Sequence, residues 1–394
     1  MAKDINLEGI EAGSIDEEVR QQALILTAQD GEGIEALLYL PARGRPETAL
    51  VAMHPATQAA QNYAGKPFAR EGYAFLNVKS RYAGDDSTLI FEEVLLDIAA
   101  GVQFLRDAGM RRIVMYGHSG GASLTAYYQS QAESPSVTCT PAGDLPDLTK
   151  GKLPPGDAVF IVNSHPGRST ASTLSLDPSV IDERDPWGVD PTLDMFNPAN
   201  YRLVGARLEE KGATYSPEFV TRYRAAQVAR NERITAWVRE RLAELNRRGD
   251  APVKDEPFFV YRTVADLAHY DLSIDPSDRQ VGSSWGDPRY LNYYAPTAHQ
   301  GRVSSLRSWL SQWGLHTSNA DMMTHIARIT APLLVVQSTS DRWMCSAQMV
   351  HDAAGSRDKD LHYIKGGYHL FKGQSGLLAQ AVALMAKWLR ARGF

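Results

Sequence analysis

Cysteine is scarce in this chain of 394 residues, which contains only Cys139 and Cys345. Two cysteines exclude a framework of several disulfides and a zinc site built from four cysteines. No run of 18 or more apolar residues occurs, so we expect no membrane-spanning helix. Residues 1–8 lack the apolar core of a signal peptide. These absences favour a reducing cytoplasm as the compartment.

An excess of positive charge is also missing. The 41 lysines and arginines are outnumbered by 46 aspartates and glutamates, which argues against a nucleic-acid-binding protein. Two phosphate-binding patterns are absent, namely the P-loop and a G-x-G-x-x-G after the first strand. The sequence therefore implies no nucleotide cofactor, and its composition, 43% hydrophobic and 22% charged, is that of an ordinary globular protein.

One acidic cluster invites comparison with a calcium site. Its prolines and irregular spacing do not match the ligand loop of an EF-hand, so we expect no bound metal there. The residues of this cluster are Asp182, Glu183, Asp185, Asp190 and Asp194.

What the sequence does contain is a series of short apolar runs separated by helical stretches. Residues 22–27 and 34–40, joined by turn-forming residues, predict an antiparallel hairpin. Four later runs are apolar on both faces, which is typical of central strands in a parallel sheet covered by helices. These four runs are 49–54, 73–78, 112–117 and 158–163, and the strand pattern resumes at 332–337 and 360–364. The helical stretches include 91–108, 121–132 and 376–392. The alternation predicts an α/β fold.

The alternation stops between residues 168 and 325. This stretch has no clear parallel-strand run, and its main feature is a helical candidate at 217–248 with eight arginines and four glutamates. We interpret the charges of that helix as a solvated face, and the nearby tryptophans and tyrosines as the core of this stretch. Because strands resume afterwards, we predict a split core of residues 1–167 and 326–394, interrupted by a mainly helical insertion at 168–325.

The strongest local motif is Gly117-His118-Ser119-Gly120-Gly121, which matches G-x-S-x-G between a strand and a helix. Gly117 and Gly121 are small because the strand and helix backbones pass close to each other at such a turn. The turn lifts the Ser119 hydroxyl out of the sheet and directs the Gly120 N–H toward a developing oxyanion. The motif predicts Ser119 as a nucleophile and Gly120 as an oxyanion donor.

A serine nucleophile needs a histidine base that is oriented by a carboxylate. His369 follows the run 360–364 and Asp341 follows the run 332–337. Sites of α/β proteins form at the carboxyl ends of such strands. The loop at 164–168 contains no aspartate or glutamate and offers no competing acid. The order therefore predicts His369 as the base and Asp341 as its orienting acid.

A second oxyanion donor is expected in the loop that follows the run 49–54. Pro55 has no N–H and cannot donate. The donor is then the backbone N–H of Ala56 or of Thr57, with Ala56 slightly favoured. We expect His54 to shape this loop rather than to take part in the chemistry.

With these features the sequence resembles the α/β-hydrolase superfamily. The resemblance rests on residues 117–121, Asp341, His369 and the loop from His54, and residues 73–87 look like the loop after the fourth strand in several esterase and peptidase branches. It covers 1–167 and 326–394. It implies a mostly parallel eight-stranded sheet with helices on both faces and a cap at 168–325. One departure is the proline after His54, where many relatives have glycine.

The resemblance implies a cofactor-independent serine hydrolase that cleaves a carboxylic ester of a small-molecule acyl substrate. The same triad could instead cleave an amide, a lactone or a carbon–carbon bond beside a carbonyl, or transfer the acyl group to another acceptor. A non-catalytic binding protein is disfavoured by the intact Ser119, His369 and Asp341. Substrate size and oligomeric state stay open, a homo-oligomer included.

Overall fold

The computed structural model describes residues 18–56, 62–249, 253–282, 286–294 and 301–394. The strands are β1 Val19–Thr27, β2 Gly33–Pro41, β3 Thr48–Ala52, β4 Ala74–Val78, β5 Arg112–His118, β6 Ala158–Val162, β7 Val180–Asp182, β8 Asp185–Val189, β9 Arg202–Leu203, β10 Ala213–Thr214, β11 Pro257–Phe259, β12 Val303–Ser305, β13 Leu333–Ser338 and β14 Lys359–Ile364. The helices are α1 Gly65–Arg70, α2 Phe91–Asp107, α3 Gly120–Glu133, α4 Arg168–Thr173, α5 Leu208–Lys211, α6 Pro217–Arg247, α7 Pro288–Tyr293, α8 Leu306–Ser308, α9 Met322–Ile326, α10 Ser346–Ala353 and α11 Ser375–Arg390.

Eight strands form one sheet in the order β1-β2-β4-β3-β5-β6-β13-β14. The strands from β4 to β14 in this order pair in parallel. β2 is antiparallel to both β1 and β4, and the predicted hairpin is thereby confirmed. The sheet is mostly parallel, as the sequence predicted, and β5 lies near its centre.

Both faces of the sheet are buried because successive strand residues point to opposite helix layers. In β3, Ala49 and Val51 pack in a cluster with α2 and α3, whereas Leu50 and Ala52 pack in a cluster with α1 and α11. This two-sided burial explains why the central strands read as continuous apolar runs.

The residues between β6 and β13 build a different kind of structure. Their longest helix, α6, has 31 residues and begins at Pro217, where the side chain of Ser216 accepts the N–H of Phe219. Their strands are short antiparallel pairs, β7 with β8, β9 with β10 and β11 with β12. Trp309 and Trp313 are buried in a cluster against α6, as the sequence analysis expected for this stretch. Trp285, another tryptophan of this stretch, lies outside the described residues.

Hydrogen bonds connect this stretch to loops that follow the sheet strands. The N–H of Asp278 donates to the carbonyl of Thr339, just after β13, at 2.7 Å. The N–H of Phe91 donates to Ser311 Oγ at 2.9 Å. Residues 168–325 are thus attached at the carboxyl end of the sheet. Across the described ranges, no helix combines the length and apolarity that crossing a membrane requires.

The turn from β5 into α3 is strained. Ser119, the residue between the two elements, has φ 56° and ψ −127°, a region that few residues other than glycine adopt. A Cβ atom on Gly117 would lie 2.6 Å from the Cα of Ala122, and one on Gly121 would lie 2.3 Å from the carbonyl oxygen of Met53. Both positions require glycine, which is the steric reason for the motif's spacing.

The substitution Gly121→Ala tests this close approach. Because the added methyl group would meet backbone atoms of residue 53, we expect a loss of about 1–3 kcal/mol or more in the free energy of unfolding. Urea denaturation measures it. Gly376→Ala is the matched control, since a Cβ there meets no atom within 4 Å. Equal stability of the two variants would contradict the close packing at the turn.

A second prediction concerns the α1 side of the sheet. The Phe68 side chain is fully buried, and its ring centroid lies 5.8 Å from that of Phe75 and 5.9 Å from that of Tyr116 in β5. We expect Phe68→Ala to lower the free energy of unfolding by about 3–5 kcal/mol, because it leaves a cavity beneath β5. Ile25→Ala, at a side chain that is 73% exposed, should change it by no more than about 0.5 kcal/mol. A small loss for Phe68→Ala would mean that this layer is loosely packed.

Candidate active site

The structure brings three of the predicted side chains together at the carboxyl end of the sheet. Ser119 lies in the turn after β5, Asp341 follows β13 and His369 follows β14. His369 Nε2 is 2.8 Å from Ser119 Oγ, and His369 Nδ1 is 2.8 Å from Asp341 Oδ2. The three side chains form one continuous chain of hydrogen bonds.

The charges of this group are coupled. Burial alone would raise the pKa of Asp341, but the charge and hydrogen bond of His369 and a hydrogen bond from Gln337 Nε2 at 3.1 Å lower it. Burial would likewise lower the pKa of His369, but the charge and hydrogen bond of Asp341 raise it above its ordinary value of 6.5. Asp341 is therefore ionised at neutral pH, and His369 is a stronger base than a free imidazole.

Two further side chains hold the backbone of His369. Its carbonyl oxygen accepts from Asn163 Nδ2 at 2.8 Å and from His118 Nε2 at 2.9 Å. Asn163 Oδ1 in turn accepts the N–H of Ser338 at 2.7 Å, which ties the end of β6 to the end of β13. Burial and the charge of His369 lower the pKa of His118 to about 3, so His118 is neutral with its proton on Nε2.

The predicted oxyanion loop has an unexpected arrangement. The N–H of Ala56, the favoured second donor, is directed at Nδ1 of His54 at 3.3 Å. Because Nδ1 is the acceptor, a neutral His54 carries its proton on Nε2. Thr57, the alternative donor, lies outside the described residues. In this loop the imidazole N–H, rather than the Ala56 N–H, is the donor that no described residue engages.

His165 repeats this arrangement after β6. Its Nδ1 accepts the N–H of Gly167 at 3.2 Å, so its Nε2 also carries the proton in the neutral ring. Desolvation is the main cause that lowers the pKa of both rings, to about 4 for His165 and well below the ordinary value for His54. The positive charge of Arg168 lowers both further. Both rings are neutral donors at pH 7.

The two rings meet beside the turn because β3 and β6 are the neighbours of β5 in the sheet. The position that a Cβ of Gly120 would occupy lies 3.2 Å from His54 Nε2, 3.6 Å from His165 Nε2 and 3.8 Å from Arg168 Nε. Three nitrogen donors therefore converge on the space that Gly120, the residue after Ser119, leaves free.

Sequence reasoning missed the contributions of Asn163, His165 and Arg168. The loop at 164–168 contains no aspartate or glutamate, so it offers no candidate for the orienting acid. One signal was present: the dipeptide His-Pro follows a central strand twice, at 54–55 and at 165–166. That repetition could have indicated that both loops present an imidazole at the same end of the sheet.

The side chains at this site can perform acyl transfer. They supply a nucleophilic hydroxyl, a base, an orienting carboxylate and N–H donors for a developing negative charge. Within the described ranges, no three His, Cys, Asp or Glu side chains are grouped so that they could hold a metal ion.

Neither a protein-family model nor a curated protein matches this chain. Weak similarity exists to solved structures, among them a hypothetical protein from Pseudomonas aeruginosa (14% identity, TM-score 0.49, covering 94% of this chain and 93% of that one). Another is Est1E from Butyrivibrio proteoclasticus, with 12% identity and a TM-score of 0.48, covering 93% of this chain and 99% of that one. A third is a proline iminopeptidase from Mycobacterium smegmatis, with 13% identity and a TM-score of 0.44, covering 94% of this chain and 98% of that one. The assignment of the fold rests on the strand order and on the strained turn at Ser119. By these features, the chain has the α/β-hydrolase fold.

Proposed function

We propose that this protein is a serine hydrolase that cleaves carboxylic esters through an acyl-enzyme intermediate. The observation that carries the proposal is the continuous chain of 2.8 Å hydrogen bonds from Ser119 through His369 to Asp341, with Ser119 on a strained turn. An ester is the least demanding acyl substrate for such a group, because an alcohol leaves more readily than an amine.

In this mechanism Ser119 Oγ attacks the ester carbonyl while His369 Nε2 takes the hydroxyl proton. Asp341 holds the imidazole through Nδ1 and stabilises its charged form. His369 then gives the proton to the leaving alcohol, and the acyl group stays on Ser119. A water molecule, deprotonated by His369, attacks the acyl-enzyme and releases the acid.

The negative oxygen of the tetrahedral intermediate needs two donors. We assign one to the Gly120 N–H, as the motif predicted, and the other to His54 Nε2–H. This second assignment replaces Ala56, because the Ala56 N–H already donates to the His54 ring. It is supported by the 3.2 Å between His54 Nε2 and the space beside Gly120.

Residues 168–325 act in this proposal as the predicted cap over a small-molecule substrate. Support comes from contacts with the loop that carries Asp341. Arg342, the next residue, has Nη2 2.6 Å from Asp266 Oδ2 and also pairs with Asp275, both of which belong to this stretch. The cap is therefore bonded directly to a catalytic loop, and we place the core at 1–167 and 326–394.

Labelling with a fluorophosphonate tests the nucleophile. We expect wild-type protein to be labelled once, at Ser119, and Ser119→Ala to be neither labelled nor active on aryl esters, as mass spectrometry and a chromogenic assay would show. Ser123→Ala is the matched control, because Ser123 lies in the first turn of α3, directly after Ser119, and donates to the carbonyl of Gly120. Its labelling should persist. An unlabelled wild type, or a labelled Ser119→Ala, would refute the assignment.

The pH dependence tests the base and its partner. His369 acts as the base only when neutral, so kcat/KM should fall as the pH drops through the pKa of His369, which lies above 6.5. Asp341→Asn removes the charge that raises this pKa. The acid limb should then move to lower pH, and kcat should fall by on the order of 10⁴ because the imidazole loses its orientation.

Asp352→Asn provides the control for that experiment. Asp352 is another aspartate bonded to a histidine, His351, at 3.3 Å, but it lies on α10 away from Ser119. Its substitution should leave the acid limb and kcat unchanged. Wild-type kcat in Asp341→Asn would mean that a different carboxylate orients His369.

A further inference from the structure

The guanidinium of Arg168 has one edge that the fold leaves unused. Arg168 is only 3% exposed, and its Nη1 donates to Asp86 Oδ2 at 2.7 Å and to Gln312 Oε1. Its Nη2 is buried without any hydrogen-bond partner, and its Nε has no acceptor among the described residues. A buried charged donor without a partner costs about 1–3 kcal/mol or more, so this edge calls for an explanation.

The unused edge is the one that suits a carboxylate. Nε–H and one N–H of Nη2 lie side by side on the guanidinium and can bind two oxygen atoms in parallel. This edge lies at the site, because Nε is 3.8 Å from the space beside Gly120. His165 Nε2, at 3.6 Å from the same point, adds a neutral donor.

Arg168 is held firmly in this orientation. Asp86 comes from the loop after β4, Gln312 from the helical turn 309–313, and the Trp313 ring centroid lies 5.0 Å from the guanidinium carbon. Two carboxylates at the site are already paired, Asp86 with Arg168 Nη1 and Asp341 with His369. The open edge is therefore preorganised for an anion that the described residues do not supply.

The distance from Ser119 limits where such an anion would sit. Arg168 Nε is 3.8 Å from the Cβ position of Gly120, which is one bond from the Cα of Gly120. Because neighbouring Cα atoms are about 3.8 Å apart, Arg168 Nε lies at most about 9 Å from the Cα of Ser119. A substrate whose ester carbonyl lies at Ser119 Oγ would therefore reach Arg168 with a group only a few bonds from that carbonyl. The oxyanion of the tetrahedral intermediate is a single oxygen and already has two proposed donors. The bidentate edge of Arg168 instead matches a group with two oxygens.

We propose that the substrate carries a carboxylate a few bonds from the scissile carbonyl, and that Arg168 Nε and Nη2, together with His165 Nε2, bind it. The substrate class is thus a half-ester of a short dicarboxylic acid, or an ester whose alcohol bears a nearby carboxylate. This inference rests on the proposed function and specifies its substrate.

Matched ester pairs test the proposal on wild-type protein. 4-Nitrophenyl hemiglutarate and 4-nitrophenyl valerate differ in the acyl charge, and the butyrate esters of 3-hydroxybenzoate and of phenol differ in the charge of the alcohol. We expect kcat/KM to be at least tenfold higher for the charged member of one pair. Free glutarate should also protect Ser119 from the fluorophosphonate at a concentration at least tenfold lower than valeramide does, because valeramide has no carboxylate.

Substitutions connect the preference to Arg168. Arg168→Gln should reduce the ratio of kcat/KM for the charged ester to kcat/KM for the neutral ester at least tenfold. Arg168→Lys should retain part of this preference, because lysine keeps the positive charge but cannot form the bidentate contact. Arg230→Gln is the matched control: Arg230 is equally buried in the same stretch, but its guanidinium pairs with Glu183. Its ratio should equal that of wild type.

The outcomes separate the two proposals. If wild type is labelled at Ser119 but shows no preference in either pair and no selective protection by glutarate, the carboxylate subsite is wrong and the hydrolase proposal stands. If wild type is neither labelled nor active, the hydrolase proposal fails first. A preference that survives in a labelled Arg168→Gln would overturn the role of Arg168. If that variant does not fold, the glutarate protection of wild type decides.

Discussion

The close approach of β5 and α3 is the constraint on which the site depends. With glycine at 117 and 121, the two backbones nearly touch, and Ser119 is forced into a conformation that side chains rarely adopt. That strain aims the hydroxyl out of the sheet. The absence of a side chain at Gly120 opens the space beside it, into which the loops after β3 and β6 direct their imidazoles. A larger residue at 120 would fill the space where these donors converge.

The position of His369 depends on a second set of contacts, which lie beneath the triad. Asn163 has one oxygen on the backbone of β13 and one nitrogen on the carbonyl of His369, so a single side chain sets the spacing of two loops. His118 holds the same carbonyl from the side of the nucleophile. The 2.8 Å contacts of the imidazole thus rely on polar groups from three adjacent strands. A base held this way loses little conformational freedom when the substrate binds.

Much of the sheet could be predicted from sequence because a strand that is buried on both faces consists mostly of consecutive apolar residues. Ser119 and Asp341 could be predicted because each follows such a run, and His369 could be predicted because it follows the last strand at the same end of the sheet. The roles of His165 and Arg168 could not, because they depend on which loops meet across β5 and on which hydrogen bond fixes each ring. Pro55 has no N–H to donate, but His54, which was expected only to shape this loop, carries the ring N–H that we propose as the donor in place of Ala56.

The electrostatics of the site depend on the guanidinium of Arg168 and the carboxylate of Asp341. Asp341 raises the pKa of His369, which suits a base, whereas Arg168 lowers the pKa of His54 and His165, which suits neutral donors. Had either of these rings been protonated, its Nδ1 would repel the backbone N–H that now orients it. Burial and the positive charge of Arg168 therefore keep both rings neutral, and the backbone N–H at each Nδ1 leaves the proton on Nε2. The same charge favours a substrate that brings a negative one.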